Sequence, residues 1–183
     1  MKRIALLFIS LCLSITINAQ SESAHMTFAG IPLTGTINQF QTKLQAKGYV
    51  INKNINSILP VGTRSFNGTF IGKKANIAVY YDPNSKNVYA AKAYFTDMTE
   101  EKVKEEFNNV KGMLSLKYVG HEITDGTKNQ YPTLTINTNK GTIFVYIMKD
   151  ELTINYPYIH SLHIEYHDFL NGLKHRSNVM DDL

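Results

Sequence analysis

Two amphipathic segments, each bounded by helix-capping residues and each followed by strand-like sequence, constrain the fold of this chain most strongly. The first is expected to begin at Thr36, because Gln39 three positions later completes a capping box. It is expected to end at Gly48, since glycine readily takes the left-handed conformation that follows a helix. Its apolar residues recur at helical spacing and share one face: Ile37, Phe40 and Leu44.

The second segment repeats this pattern further along the chain. Asp97 or Thr99 is placed to cap its start, and Glu100 and Glu101 occupy the first turn, where the helix dipole favours negative charge. Gly120 is expected to end it. Its apolar stripe consists of Val103, Phe107, Val110 and Leu114. Each predicted helix therefore has a single apolar face, which needs a layer to pack against.

Strand-like sequence follows each predicted helix. The candidates after the first helix are residues 66–71, 75–81 and 88–95, and those after the second are residues 133–138, 142–149, 152–156 and 161–167. Residues 82–87, 139–141 and 150–151 have the composition of hairpin connections, and Asn67-Gly68 is interpreted as a turn or bulge.

This order predicts an α+β fold, with two helix-plus-antiparallel-strands units forming one domain and the helices on one face of the sheet. The units are placed at residues 26–98 and 99–176, followed by a tail at residues 177–183. We expect the second face of the sheet to stay open to water or to a partner.

The first residues of the chain resemble a secretory signal peptide. Lys2 and Arg3 precede an apolar run at residues 4–17, and cleavage is expected after Ala19, so residues 1–19 would be removed. The predicted location is therefore periplasmic or secreted. Cys12, the single cysteine, lies within that run, so the processed chain would have neither a disulfide nor a cysteine nucleophile.

The charge of the remaining chain argues against nucleic acid as a partner. Lys2 and Arg3 account for two of the 19 basic residues, which leaves 17 against 15 acidic residues and no dense basic run. No later apolar run is long enough to span a membrane, which takes about 20 residues.

Several short segments of the sequence resemble a group of small exported bacterial proteins whose activity is uncharacterised. These segments are residues 28–35, 47–49, 116–118, 140–143, 164–171 and 181–183. The order of helices and strands is also similar to that of β-lactamase-inhibitor-like and outer-membrane-assembly-lipoprotein-like proteins. That second resemblance implies an open sheet face used for protein binding, but a fold does not establish a function.

One strand candidate carries a set of side chains that could hold a metal. On a strand, alternate residues share a face, so His163, Glu165 and His167 should point away from Leu162 and Ile164. Two imidazoles and a carboxylate are ligands that Zn²⁺ accepts. The outer members of such a set stand about 13 Å apart, so one ion would need two of them and a further group. The alternative interpretation is the solvated face of an amphipathic strand, with no cofactor.

Tyrosines are concentrated in the strand candidates, and tryptophan is absent. Alternation should bury half of them and leave the others on the open face, where tyrosine supplies large contact area at low entropic cost. The residues assigned to binding are Tyr80, Tyr89, Tyr94 and Tyr146. The alternative is that they reflect only the strand preference of tyrosine.

Motifs that would identify an enzyme are missing from the sequence. Residues 68–74, GTFIGKK, have three residues between the glycines where a phosphate-binding loop needs four, and Lys74 replaces the required hydroxyl. Nucleophile-elbow and zinc-protease signatures are absent. The sequence therefore favours an exported non-enzymatic module that binds another protein. The other hypotheses are a metal-dependent protein or enzyme using the histidine strand, and an envelope structural protein without a defined ligand.

Overall fold

The chain folds as the predicted α+β domain, as described by a computed structural model for residues 24–150 and 159–181. The helices in these ranges are α1 (Ile37–Ala46), α2 (Lys53–Asn56), α3 (Glu100–Lys117) and α4 (Phe169–Asp181). The first strands are β1 (Thr27–Phe28), β2 (Ile31–Pro32), β3 (Val50–Ile51), β4 (Thr63–Phe70), β5 (Lys73–Tyr81) and β6 (Val88–Met98). The later strands are β7 (Glu122–Lys128), β8 (Tyr131–Thr138), β9 (Gly141–Asp150) and β10 (Ile159–Asp168).

The capping residues named from the sequence start and end the two main helices. Thr36 and Gln39 form the reciprocal capping box of α1, with the Thr36 N–H donating to Gln39 Oε1 at 2.9 Å. Thr99, rather than Asp97, caps α3 and accepts a hydrogen bond from the Lys102 N–H at 3.2 Å. Gly48 and Gly120 both have φ of +86°, so each helix stops where the backbone turns left-handed.

The main sheet is a single antiparallel layer built from two similar halves. Its strand order is β3-β4-β5-β6-β10-β9-β8-β7. Each half has a helix followed by four strands that pair in sequence order, with the short α2 inserted between β3 and β4 of the first half. The last strand of one half pairs with the last strand of the other. The central seam between β6 and β10 joins Phe95 with Leu162 and Ala91 with Tyr166.

Helices α1 and α3 lie on the same face of this sheet, as the sequence predicts. Their apolar stripes share one continuous core with the side chains that the strands point toward them, among them Ile77, Val145 and Ile164. The small hairpin of β1 and β2 joins this core, because the Phe28 ring stacks on Phe70 with the ring centroids 5.0 Å apart.

The interpretation of Asn67-Gly68 as a turn or bulge is wrong, because both residues lie within β4 and pair with β5 in unbroken register. A Cβ at Gly68 would lie 2.2 Å from Tyr49 Cδ1, so glycine is required there by the tyrosine ring and not by a turn. The hairpin turn is instead at Ile71 and Gly72, both with positive φ.

Several elements were not predicted: the short β1, β2, β3 and α2, and the longer β7 and α4. Strand β7 is exposed at every residue and has no apolar alternation that would reveal it. Helix α4 begins within the second unit and continues into the proposed tail as far as Asp181, and it was missed because its inward side is polar and gives no apolar stripe. The strand predicted at residues 152–156 and the signal peptide lie outside the described residues. None of the described helices is long and apolar enough to cross a membrane.

Candidate binding surface on the open sheet face

The sheet face opposite α1 and α3 is the candidate site and is called the open face below. Alternation along β10 assigns side chains to it as predicted: Leu162 and Ile164 are in the core, and His163, Glu165 and His167 point the other way. The register brings Tyr94 of β6 and Tyr146 of β9 beside His163 on either side. The two halves of the chain thus contribute equally to the middle of this face.

Three stacked rings form the centre of the open face. The His163 ring lies between Tyr94, at 5.5 Å between centroids, and Tyr146, at 4.9 Å, with the planes within 10° of parallel. Ser161 Oγ lies 2.8 Å from His163 Nε2 and holds the imidazole in place. Offset stacking of this kind stabilises an aromatic pair by about 0.5–1.5 kcal/mol beyond burial. The three rings form a rigid ridge across the seam.

A polar group borders this ridge on β10. The Glu165 carboxylate accepts a hydrogen bond from Tyr146 Oη at 3.0 Å and lies 2.9 Å from His167 Nε2. Burial raises the pKa of Glu165, but the hydrogen bond and charge of His167, the charge of Lys92 and the Tyr146 hydroxyl lower it by more. The resulting pKa is below its usual range, so the carboxylate is ionised at neutral pH.

Tyr146 keeps its proton in this arrangement. Burial of the hydroxyl and the negative charge of Glu165 both raise the pKa of Tyr146 far above its ordinary value. The hydroxyl therefore remains a hydrogen-bond donor to Glu165 over the whole physiological pH range.

The three residues considered for a metal are placed on one face but are engaged with other groups. Glu165 and His167 contact each other, and His163 is held between two tyrosine rings. Within the ranges that the structure describes, no three His, Cys, Asp or Glu side chains come together in a group able to hold an ion. The arrangement in this region suits packing and hydrogen bonding better than coordination.

Two hollows flank the ridge on the open face. One, of about 400 Å³, lies over β4, β5 and β6 and is bordered by α2 and the loop after it, with Ile55, Leu59, Tyr80 and Lys92 in its lining. The other, of about 350 Å³, lies over β8 and β9 beside Lys128, Phe144 and Glu165. A third hollow, of about 630 Å³, crosses one end of β3, β4, β5 and β6 near Asn52 and Asn67.

Three of the four tyrosines assigned to binding lie on the open face, namely Tyr80, Tyr94 and Tyr146. Tyr89 lies near Tyr80 and Glu165, since burial and the charges of Tyr80, Asp82 and Glu165 all raise its pKa, and its ring is covered by His175 of α4, with the ring centroids 4.3 Å apart. A bulge occurs at this point: Tyr80 pairs with Ala90 while Tyr81 pairs with Val88, and Tyr89 is left unpaired between them.

Sequence reasoning missed several other residues of the open face. Lys92 stands two positions before Tyr94, and Phe144 and Met148 stand two positions to either side of Tyr146. The same alternation that assigned the tyrosines would have placed these side chains beside them. Phe144 and Met148 are 39% and 44% exposed, so the ridge continues into apolar surface that the described residues leave uncovered.

No protein-family model, curated protein or solved structure matches this chain. The resemblances drawn from the sequence therefore stay predictions, and the functional argument depends on the geometry of the open face.

Proposed function

We propose that this chain is an exported, non-enzymatic binding module that recognises another protein through the open face of its sheet. The observation that supports this most is the ridge of Tyr94, His163 and Tyr146, which continues into the exposed Phe144 and Met148. Rigid aromatic side chains beside hollows are typical of the centre of a protein-recognition surface, where few residues provide most of the affinity. Export rests on the signal-peptide pattern of the sequence.

The polar groups of the face are suited to positioning a partner. Glu165 is held ionised by His167 and Tyr146, and Lys92 and Lys128 carry positive charge on either side of the ridge. Charges around an aromatic centre determine orientation and discriminate between partners more than they add affinity. The contact between Glu165 and His167 is therefore explained by partner recognition without a catalytic role.

Site-specific photo-crosslinking tests this proposal. A benzophenone amino acid replacing Phe144 should capture one defined protein from periplasmic and cell-surface fractions. The same group replacing Met113, an exposed residue of α3 on the helix side, is the matched control and should capture none. In a binding assay with the captured protein, Tyr146→Ala should weaken the complex at least about tenfold, as expected for a hot-spot tyrosine. Equal capture from both positions, or from neither, would contradict the proposal.

A further inference from the structure

We propose that the hollow bordered by α2 is a binding site for a small carboxylic acid with an apolar body. This site shares Tyr94, His163 and Met148 with the surface proposed for protein contact, but it is inferred from different observations. Its volume, about 400 Å³, lies in the range of about 300–1,000 Å³ typical of small-molecule sites.

The floor of the hollow is a single row across three strands. Ser65 of β4, Ala78 of β5 and Lys92 of β6 are register partners, and the small Ala78 side chain leaves space between the other two. Tyr80 and Tyr94 bound this row as aromatic walls. Ile55, Leu59 and Pro60 close the outer side, and Met148 lies toward the seam. The lining is mostly apolar with few polar groups, as expected of a ligand site.

Lys92 supplies a cation whose charge is not neutralised by direct contact. Its Nζ lies 5.6 Å and 5.8 Å from the ring centroids of Tyr80 and Tyr94. Glu165 is its register partner on β10, but that carboxylate bonds to Tyr146 and His167 instead. Among the described residues, no side-chain or backbone oxygen accepts a hydrogen bond from the Lys92 ammonium. An anion in the hollow would provide the missing partner.

Ser65 is the polar residue at the other end of this row. Its side chain is buried, with 2% of the residue exposed, and its hydroxyl interacts with the neighbouring Tyr94 hydroxyl. A ligand carboxylate lying over Ala78 would accept a hydrogen bond from the Lys92 ammonium. Its apolar body would then lie against Ile55, Leu59 and Met148.

Calorimetric titration with octanoate tests this site. We expect saturable one-to-one binding of octanoate, and no comparable binding of acetate, which lacks the body, or of octanol, which lacks the charge. Lys92→Gln should weaken octanoate binding by about tenfold or more, because a charge-assisted hydrogen bond is lost. Lys128→Gln is the matched control, since Lys128 also lies over a tyrosine ring of the open face but outside this hollow, and should change binding less than about twofold.

Amide chemical shifts of the unmodified protein give a readout that does not depend on a variant's folding. Octanoate should shift the signals of Ser65, Ala78 and Lys92, and leave Thr133 and Thr135 beside the other hollow unchanged. Absence of saturable binding, equal binding of octanol, equal loss in the two lysine variants, or shifts confined to the other hollow would each overturn the proposal. Binding only of a peptide with a free carboxyl terminus, and not of octanoate, would overturn it as well.

Discussion

At the residue scale, Gly68 and Tyr49 are fitted to each other at the edge of the first half of the sheet. The Tyr49 ring lies where a Gly68 side chain would be, and its Oη donates a hydrogen bond of 2.8 Å to the Thr69 carbonyl. This contact joins the end of α1 to β4, where β3 pairs over only two residues. The Asn67-Gly68 pair has the composition of a turn, but its glycine instead allows the backbone to approach the Tyr49 ring closely.

Replacing Gly68 with alanine should lower the free energy of unfolding by about 1–3 kcal/mol, because the new methyl group forces the Tyr49 ring out of place. Urea denaturation followed by circular dichroism measures this change. Gly112→Ala is the control, since a Cβ at that position of α3 meets nothing within 4 Å and should stabilise the helix by about 0.5–1 kcal/mol. A Gly68→Ala protein as stable as the parent would show that the ring moves aside freely.

At the element scale, α4 is held by polar contacts instead of an apolar stripe. Asp168 caps the helix, because its Oδ1 accepts the Asn171 N–H at 2.8 Å, and its Oδ2 accepts the Met26 N–H at 2.8 Å. The Asn171 amide donates to the carbonyls of Leu33 and Val88. One turn further, His175 Nδ1 lies 2.8 Å from Asp82 Oδ2. The helix thus binds to backbone groups and to the 82–87 loop.

The Asp82 contact should make stability depend on acid pH. Burial raises the pKa of Asp82, but hydrogen bonds from His175, Ser85 and Asn178 lower it by more, so the folded pKa is well below the unfolded value of about 3.9. A depressed folded pKa stabilises the protein above the unfolded pKa, and this contribution is lost as the pH falls below about 4. Urea denaturation at pH 5 and pH 3 should show a smaller drop in Asp82→Asn than in the parent.

The exposed carboxyl of Asp125 on β7 offers a control for that experiment, because Asp125→Asn changes the same charge outside the α4 contact. Its drop between pH 5 and pH 3 should match that of the parent. An Asp82→Asn protein with the full parental drop would show that the His175 contact contributes nothing to folding.

The elements that could be predicted from the sequence are those whose apolar residues repeat at a regular spacing. Helices α1 and α3 have both caps and a stripe, and β10 alternates between Leu162 and His163. The missed elements lack such a repeat, because β7 buries nothing and α4 turns Asn171 and His175 inward. The positions of β7 and α4 depend on contacts with residues that are distant in the sequence, and a local sequence pattern carries no information about such contacts.

The same limit applies to the candidate site. Alternation was enough to assign Tyr80, Tyr94 and Tyr146 to the open face, but it could not reveal the bulge at Tyr89 or the stacking of its ring on His175 of α4. The hollow over Ala78 needs α2 and its loop placed against three strands that come later in the chain. The spacing of residues in the sequence does not predict how α2 packs against these strands, so the hollow could be found only in the folded structure.

At the scale of the whole molecule, the two halves form one continuous core around the β6–β10 seam. The strands at the seam are covered on both sides by neighbours, whereas β7 has a partner on one side only. Each half alone would leave one of these central strands without its second neighbour, and a single core shared by both halves favours cooperative unfolding. Stability should therefore decrease from the middle of the sheet toward its edges.

Amide hydrogen exchange should reveal this gradient. Amides of β6 and β10 near Ala93 and Ile164 should exchange only through global unfolding, and those of β7 should exchange through local opening at much lower free energy. NMR can follow the exchange of each amide at several low urea concentrations, which gives the opening free energies of the central strands and of β7. If β6 and β10 exchanged separately, the halves would be independent units and the seam a weak contact.

The seam also has a consequence for how the protein is made. Phe95 and Leu162 are neighbours in the sheet, but α3 and three complete strands are synthesised between them. Until the ribosome has released β10, the alanine-rich edge of β6 has no neighbour and can pair with other nascent chains. A binding factor that shields β6 during translation should therefore increase the yield of soluble protein more than one that shields the finished fold.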